Sequence, residues 1–231
     1  MDLNFNELIV YEDEYFLVVN KPSGVPTQGD KTGDLSIEEM ANTYYRKKFS
    51  NDKYLVGLVH RLDRPVGGLL ILSKDRRALI KFNEMMQKNQ VKKRYMAVCN
   101  GSPEEVSGSY VDYMKKLKTT SMSKITSKEA SSSKRAELIY KCIKTDTSTE
   151  EVLSLFEIEL ITGRHHQIRV QMSHHNIPIW GDTKYNRVYK RKGYSKIALY
   201  SAKLSFKHPI NNKLIDLELE LPNQFPFELC K

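Results

Sequence analysis

One acid lies among potential cations in the stretch His60-Arg61-Leu62-Asp63-Arg64-Pro65-Val66-Gly67-Gly68. Apolar runs flank this knot of charge, Tyr54 to Val59 before it and Leu69 to Leu72 after it. Both are short and rich in Val, Leu and Ile, and they read as buried strands. Strands that pinch off into such a turn put Asp63 at the edge of a core. A carboxylate there needs charged or hydrogen-bonding partners, and it can also be used for chemistry. Taken alone, a turn in which Asp63 pairs only with Arg61 or Arg64 is the simpler reading.

A second charged centre runs from Leu160 to Met172. An apolar strand ends at Thr162-Gly163 and a polar segment with helical spacing begins. His166, Arg169 and Val170 then share one face, as do His165 and Arg169. Four histidines, His165, His166, His174 and His175, fall within eleven positions, which raises the question of metal. Zinc on a helix takes a spacing such as HExxH together with a further ligand. Here no acid follows before Asp182. Structural or partner-facing roles therefore rank above ligation, and no metal is expected.

The elements that must position these centres fit one domain. The chain has 231 residues, 40% hydrophobic and 28% charged, enough for a single core spanning 1–231. No apolar run of about 18 residues occurs, so no membrane span is expected. The acidic start, Met1 to Glu7, does not read as a secretory signal. A net charge of +9 favours a polyanionic partner, nucleic acid first and an anionic membrane second. Cys99, Cys142 and Cys230 are widely spaced; the first two lie in apparent strands as buried, inert thiols, and a reducing, cytoplasmic setting fits. No Walker A, Rossmann glycine fingerprint or cysteine cluster is present, so no cofactor is expected.

Leu8 to Tyr11 and Tyr15 to Asn20 read as strands joined by the acidic turn Glu12-Asp13-Glu14, and Lys21 to Thr27 as a turn-rich loop. Ser36 and Glu39 form a capping box for a helix that buries Ile37, Met40, Ala41, Tyr44, Tyr45 and Phe49. Asp75 caps a second helix carrying Leu79, Phe82, Met85 and Met86, with Arg76, Arg77, Lys81 and Lys88 on a solvated outer face. Val91 to Gly101 is a strand. Residues 107–135, rich in Ser, Thr and Lys, read as exposed and mobile, with a solvated hairpin and an RNA contact as equal alternatives. Strand patterns return at 136–141 and 152–161. The order of strands with few helices predicts an α+β fold, a mixed, largely antiparallel sheet flanked by helices, over a doubly wound one.

Five motifs, in order, resemble the RluA-type pseudouridine synthase family. They are the loop Asn20-Lys21-Pro22-Ser23-Gly24, the HRLD stretch from His60, Lys93 to Gly101 with Tyr95, Gly163-Arg164-His165-His166-Gln167-Ile168-Arg169, and Pro178 to Tyr185. Ala202 to Pro209 resembles a further stretch near the family's end. Departures are Gln28 and Gln171 where a His is usual, His165 for Thr or Ser, Val66-Gly67 for Thr-Ser, and Asn186 for Gly.

The resemblance implies an isomerase of rRNA or tRNA with a central active-site cleft and no need of a metal, nucleotide or redox cofactor. It breaks the glycosidic bond of a flipped-out uridine, turns the uracil and rejoins it through carbon. Asp63 is then the catalytic carboxylate, able to attack the anomeric carbon or stabilise positive charge there. Arg169 compensates its charge, with Arg164 as the second candidate, and Tyr95 packs on the detached uracil. His60, Arg61, Leu62, Arg64, Arg164, His166, Gln167 and Ile168 fall to substrate binding, Leu62 and Ile168 as apolar wall and Arg61 as filler of the vacated space. The pattern begins near residue 8, which predicts no N-terminal accessory RNA-binding domain. Target choice then falls to 107–135 and 185–196, where Tyr185, Tyr189 and Tyr194 alternate with Arg187, Lys190, Arg191, Lys192 and Lys196 in a pattern suited to single-stranded RNA. A monomer is the default. The rival readings are a catalytically silent RNA-binding or chaperone protein, which gains nothing from Asp63, and a metal-dependent hydrolase built on the histidines.

Overall fold

The acidic turn after Tyr11 folds back on itself because Asp13 Oδ1 accepts the backbone N–H groups of Tyr15 (2.7 Å) and Phe16 (3.0 Å). It joins the antiparallel strands β1 (Ile9–Glu12) and β2 (Phe16–Lys21). The computed structural model describes residues 4–148, 150–190 and 196–230. These fall into two compact units, one of residues up to Val91 with Lys203–Leu219, the other of Lys92–Ala202 with the residues from Glu220.

In the first unit α1 (Ile37–Phe49) starts at the expected capping box, with Ser36 and Glu39 each holding the other's backbone. Strand β3 (Gly57–Leu58) is short, and β4 (Gly67–Ser73) is buried along its whole length. β2 pairs antiparallel with β4 from Phe16 opposite Ser73 to Lys21 opposite Gly68. That register sets the loop after β2 beside the turn before β4. Helix α2 (Arg76–Gln87) is capped by Asp75, which accepts from Arg77 and Ala78.

In the second unit β5 (Lys92–Asn100), β6 (Ser107–Lys116), β7 (Ser123–Thr126), β8 (Lys134–Asp146) and β9 (Leu153–Leu160) lie in the order β5-β9-β8-β6-β7. Each of these neighbouring pairs is antiparallel. Helix α3 (Gln167–His174) packs Val170 against Met114 of β6 and Ala136 of β8. Strand β10 (Leu199–Lys207) begins in this unit and ends in the first, where β11 (Leu214–Glu218) pairs with it antiparallel. Phe16, Val18, Leu69, Ile71, Phe82, Leu204 and Phe206 make the first unit's core, alternate residues of β2, β4 and β10 meeting α2. Burying each such side chain contributes roughly 1.5–3 kcal/mol.

The α+β expectation holds, with three α-helices among the described residues, but several local readings need correction. Of Tyr54–Val59 only two residues join a strand. The carbonyl of Tyr54 is taken by Arg46 and the N–H of Val56 by Asn42, so side chains of α1 satisfy backbone that a strand would have used. Gly67 and Gly68 belong to β4 rather than to the turn. Residues 107–135 include all of β6 and β7, so the hairpin among the alternatives is what forms; with Met114 buried, it is hydrogen-bonded and packed instead of mobile. Phe49 is 50% exposed and Cys142 partly exposed, whereas Cys99 is fully buried and burial pushes its thiol pKa up.

Candidate active site

Asp63 sits in the turn that feeds β4, closed by a bond from the Val66 N–H to the Asp63 carbonyl (2.9 Å). The residues on either side are pinned. Thr27 Oγ1 donates to the Leu62 carbonyl (2.8 Å) and accepts the Leu62 N–H (3.2 Å). The Arg64 carbonyl accepts the Gly24 N–H (2.9 Å) and the Lys21 ammonium (3.1 Å). Ser23 Oγ donates to the Pro65 carbonyl (2.6 Å). The loop after β2 is thus bonded to the turn at three successive places, Leu62, Arg64 and Pro65, and Asp63 is held between two of them.

Lys21 is the residue the motifs left without a role. It is fully buried, and its ammonium donates to the carbonyls of Pro22 (3.0 Å) and Val25 (2.6 Å) as well as Arg64. Burial pushes its pKa down to about 7; the negative charge of Asp63 opposes that shift and the positive charge of Arg64 adds to it. In the sequence it is marked by the Lys-Pro pair at the end of an apolar strand and by its place in the first of the family-like motifs.

The other residues of the HRLD stretch divide. Leu62 is buried; Arg61 is exposed and its guanidinium reaches Gln28 Oε1 (3.1 Å). Arg64 donates to the Gly24 carbonyl (2.9 Å) and to Thr32 (2.9 Å), and it pairs with Asp34 and Asp30. His60 Nε2 accepts the Ile71 N–H (3.2 Å), which puts any neutral-ring proton on Nδ1.

Tyr95 and Arg169 belong to the second unit. Tyr95 lies in β5 opposite Ile158 of β9, 6% exposed. Helix α3 starts at Gln167, three residues later than the helical spacing after Gly163 suggested, because His166 takes a left-handed backbone conformation at its N-cap. His165 and His166 are therefore turn residues with rings stacked at 3.8 Å, not members of a helical face with Arg169 and Val170. Gln167 holds the turn shut: its Oε1 accepts from Thr162 Oγ1 (2.8 Å) and the Arg164 N–H (2.9 Å), and its Nε2 donates to the Glu137 carbonyl (3.0 Å). Arg164 is exposed, with Nε on the Arg135 carbonyl (2.8 Å). Ile168 is buried.

The guanidinium of Arg169 forms a two-pronged pair with Asp182, Nε to Oδ2 and Nη2 to Oδ1 at 2.8 Å each, with both side chains buried. It lies 5.3 Å from the Tyr185 ring centre. Asp182 was part of a motif but carried no role in the sequence reading. His166 Nδ1 is 2.8 Å from the Tyr185 hydroxyl, which also accepts the Ser123 N–H (2.8 Å). Burial, followed by the positive charge of Arg169, pushes the His166 pKa down to about 2, so its ring is neutral at ordinary pH.

The aromatics of the segment 185–196 pack inward. Tyr189 is buried against Trp180, and Tyr185 is engaged as described, while Arg187 and Lys190 are exposed. A stacking platform made of those two rings is not what the fold builds; Arg191, Lys192 and Tyr194 lie outside the described residues. The acid that the sequence reading did not find near His174 and His175 is Asp112 of β6, brought up by the pairing of β6 and β8 under α3.

The family model for RNA pseudouridylate synthase matches residues 15–174. Ribosomal large subunit pseudouridine synthase C of Rickettsia bellii (strain RML369-C) is 34% identical over 220 residues, covering 95% of this chain and 70% of the relative. The protein of that name from Buchnera aphidicola subsp. Acyrthosiphon pisum (strain APS) is 31% identical, covering 96% and 69%. Among solved structures, human RNA pseudouridylate synthase domain containing 4 aligns over 98% of this chain and 93% of its own, with a TM-score of 0.76 at 23% identity. That likeness concerns the fold. No helix among the described residues is long and apolar enough to cross a membrane.

Proposed function

The chain belongs to the RNA pseudouridylate synthase family and is an RNA pseudouridine synthase, an isomerase; from that premise we propose that its substrate is large-subunit ribosomal RNA and that Asp63 is its nucleophile. The substrate reading rests on the relatives named ribosomal large subunit pseudouridine synthase C. The observation that carries the residue assignment is the bracing of Asp63: Leu62 and Arg64 are both tied to the loop after β2, so the carboxylate between them is held by its backbone. Pre-positioning of this kind is worth most where a reacting atom must meet a substrate carbon.

In the proposed reaction the Asp63 carboxylate acts at the anomeric carbon as the bond to uracil N1 breaks. The uracil leaves with the N1 electron pair and turns, and C5 bonds to the same sugar carbon as the Asp63 oxygen–carbon bond breaks and frees the carboxylate. The C5 proton is lost while N1 takes one up, so the product is an isomer. Tyr95 packs on the free base, and Arg169 supplies the positive charge the motif assigns to it. Arg61, exposed beside Asp63, enters the space the flipped nucleotide leaves. Leu62 and Ile168 are the apolar wall. His60, Arg64, His166 and Gln167 keep the binding roles of their motifs by holding backbone and turns, and Arg164 with the exposed Arg187 and Lys190 meets phosphates.

The test is incubation of the purified protein with unmodified large-subunit ribosomal RNA and with transfer RNA, followed by site-resolved mapping of pseudouridine. The expected result is discrete sites in the ribosomal RNA, absent with Asp63→Asn, which still binds the RNA. Product in transfer RNA alone overturns the substrate reading, and product from Asp63→Asn overturns the residue. A cytoplasmic, monomeric enzyme goes with this reading; cell fractionation and light scattering check both.

A further inference from the structure

Helix α3 ends in His174-His175, and Asp112 of β6 stands against them. One nitrogen of each ring and one carboxylate oxygen all lie within 4.8 Å of one another. His175 Nε2 is 3.2 Å from Asp112 Oδ2, and His174 Nε2 is 4.0 Å from Oδ1. The first contact is within hydrogen-bond distance, and the second is an ion-pair contact too long for a hydrogen bond. The two rings are T-shaped, with centres 5.1 Å apart. With the carboxylate they offer a donor set of two nitrogens and one oxygen. Ligand bonds of about 2.0–2.2 Å to zinc put neighbouring donors roughly 3–4 Å apart, the range of the two histidine–carboxylate separations of 3.2 and 4.0 Å.

We propose that Asp112, His174 and His175 bind a borderline divalent transition metal, with zinc as the probe, and that the ion fastens the end of α3 to β6. The surroundings are those of a supported site. Gln171 Nε2 donates to Asp112 Oδ2 (2.7 Å) and lies near the carbonyls of Tyr110 (3.3 Å) and Ala136 (3.4 Å), which fixes the carboxylate. The Gln171 side chain is fully buried and its Oε1 has no hydrogen-bond partner. The His175 ring stacks on Tyr110 at 3.6 Å and 3°, which sets its plane. Outer partners that orient a carboxylate and an imidazole are what tune a metal site. His174 is half exposed, which gives an ion its way in and leaves coordination positions for water. Nitrogen donors select zinc, cobalt, nickel or copper over magnesium and calcium.

Titrating the metal-free full-length protein with Zn²⁺, by calorimetry and by thermal melting, tests this without reference to RNA. The expected result is one zinc per chain and a higher melting temperature with zinc. Asp112→Asn, which keeps the shape and an acceptor for Gln171, and the exposed-side change His174→Ala should each weaken binding by at least ~10-fold and lose the thermal shift. His165→Ala should keep both, and excess Mg²⁺ should not compete. The proposal is overturned if the wild type takes up no zinc saturably. It is equally overturned if Asp112→Asn and His174→Ala bind as the wild type does, or if His165→Ala loses binding as they do.

Discussion

Lys21 in the first unit and Arg169 in the second are both buried cations, and they solve the same problem differently. Lys21 is surrounded by three backbone carbonyls, and its pKa falls to about 7. Arg169 meets a carboxylate, Asp182, through two parallel bonds, and a guanidinium stays charged under such conditions. The first arrangement uses a cation to gather backbone around Asp63, at the expense of making its charge adjustable. The second fixes a charge and its orientation together. Chemistry and stability should therefore separate when the acid of each centre is changed.

The largest effect expected is on activity. Asp63→Asn keeps the volume and the backbone bonds of the turn and removes only the charge that favours the Lys21 ammonium, so unfolding should change little while turnover drops on the order of 10⁴-fold or more. Single-turnover assays beside a urea melt read both quantities. A variant that lost stability and activity together would erase the contrast between the centres.

Asp182→Ala should do the reverse, with stability hit first. Removing one partner of a buried pair leaves the other charge stranded, at about 3–5 kcal/mol, and here it also frees the N–H groups of Lys184 and Tyr185. Replacing both partners, Arg169→Met with Asp182→Leu, should recover part of that stability without recovering turnover. If the double variant is as unstable as the single one, the pair is not what the site depends on.

Lys21→Met sharpens the comparison from the other side. Methionine fills the space of the stem but leaves the carbonyls of Pro22, Val25 and Arg64 without the ammonium. The cost of those acceptors, about 1–3 kcal/mol, is offset in part because a charge no longer has to be buried. The more telling readout is turnover at saturating RNA, which should fall as the Asp63 turn loosens while RNA affinity holds. Equal turnover in Lys21→Met would remove Lys21 from the positioning of Asp63.

Local chemistry made some of this legible in the sequence and tertiary chemistry hid the rest. The capping box at Ser36, the cap at Asp75 and the strand around Tyr95 depend on neighbours in the chain, and they appear where expected. Asp63, Arg169 and Gln167 were recognisable as members of motifs, yet the bonds that hold them were not. Thr27 reaches Leu62 across 35 positions, and Lys21 reaches Arg64 across 43. The same distance concealed Asp112 beside His174 and His175. Tyr189 looked like a stacking ring because spacing cannot tell a solvent-facing aromatic from one packed on Trp180. The late start of α3 came from a left-handed residue at His166, a conformation without a sequence mark when the residue is not glycine.

The narrowest effect expected, confined to two pH windows, separates the two buried groups. Lys21 has a folded pKa of about 7, below its ordinary 10.5, so the unfolded chain binds the extra proton between those values. Its contribution to stability is therefore present above pH 10.5, declines as pH falls to about 7 and is flat below. His166, pushed from 6.5 down to about 2, gives a contribution present above 6.5 that declines as pH falls further. Each slope is about 1.4 kcal/mol per pH unit, so His166 alone removes about 2 kcal/mol between pH 6.5 and 5. Urea midpoints of His166→Gln should thus fall less steeply than those of the wild type over that interval, with no difference in slope between pH 8 and 9. Lys21→Met should show the opposite, parallel to the wild type in acid and flatter between pH 8 and 9. Parallel curves in both windows would mean that neither buried group carries the proton linkage, and that water reaches both.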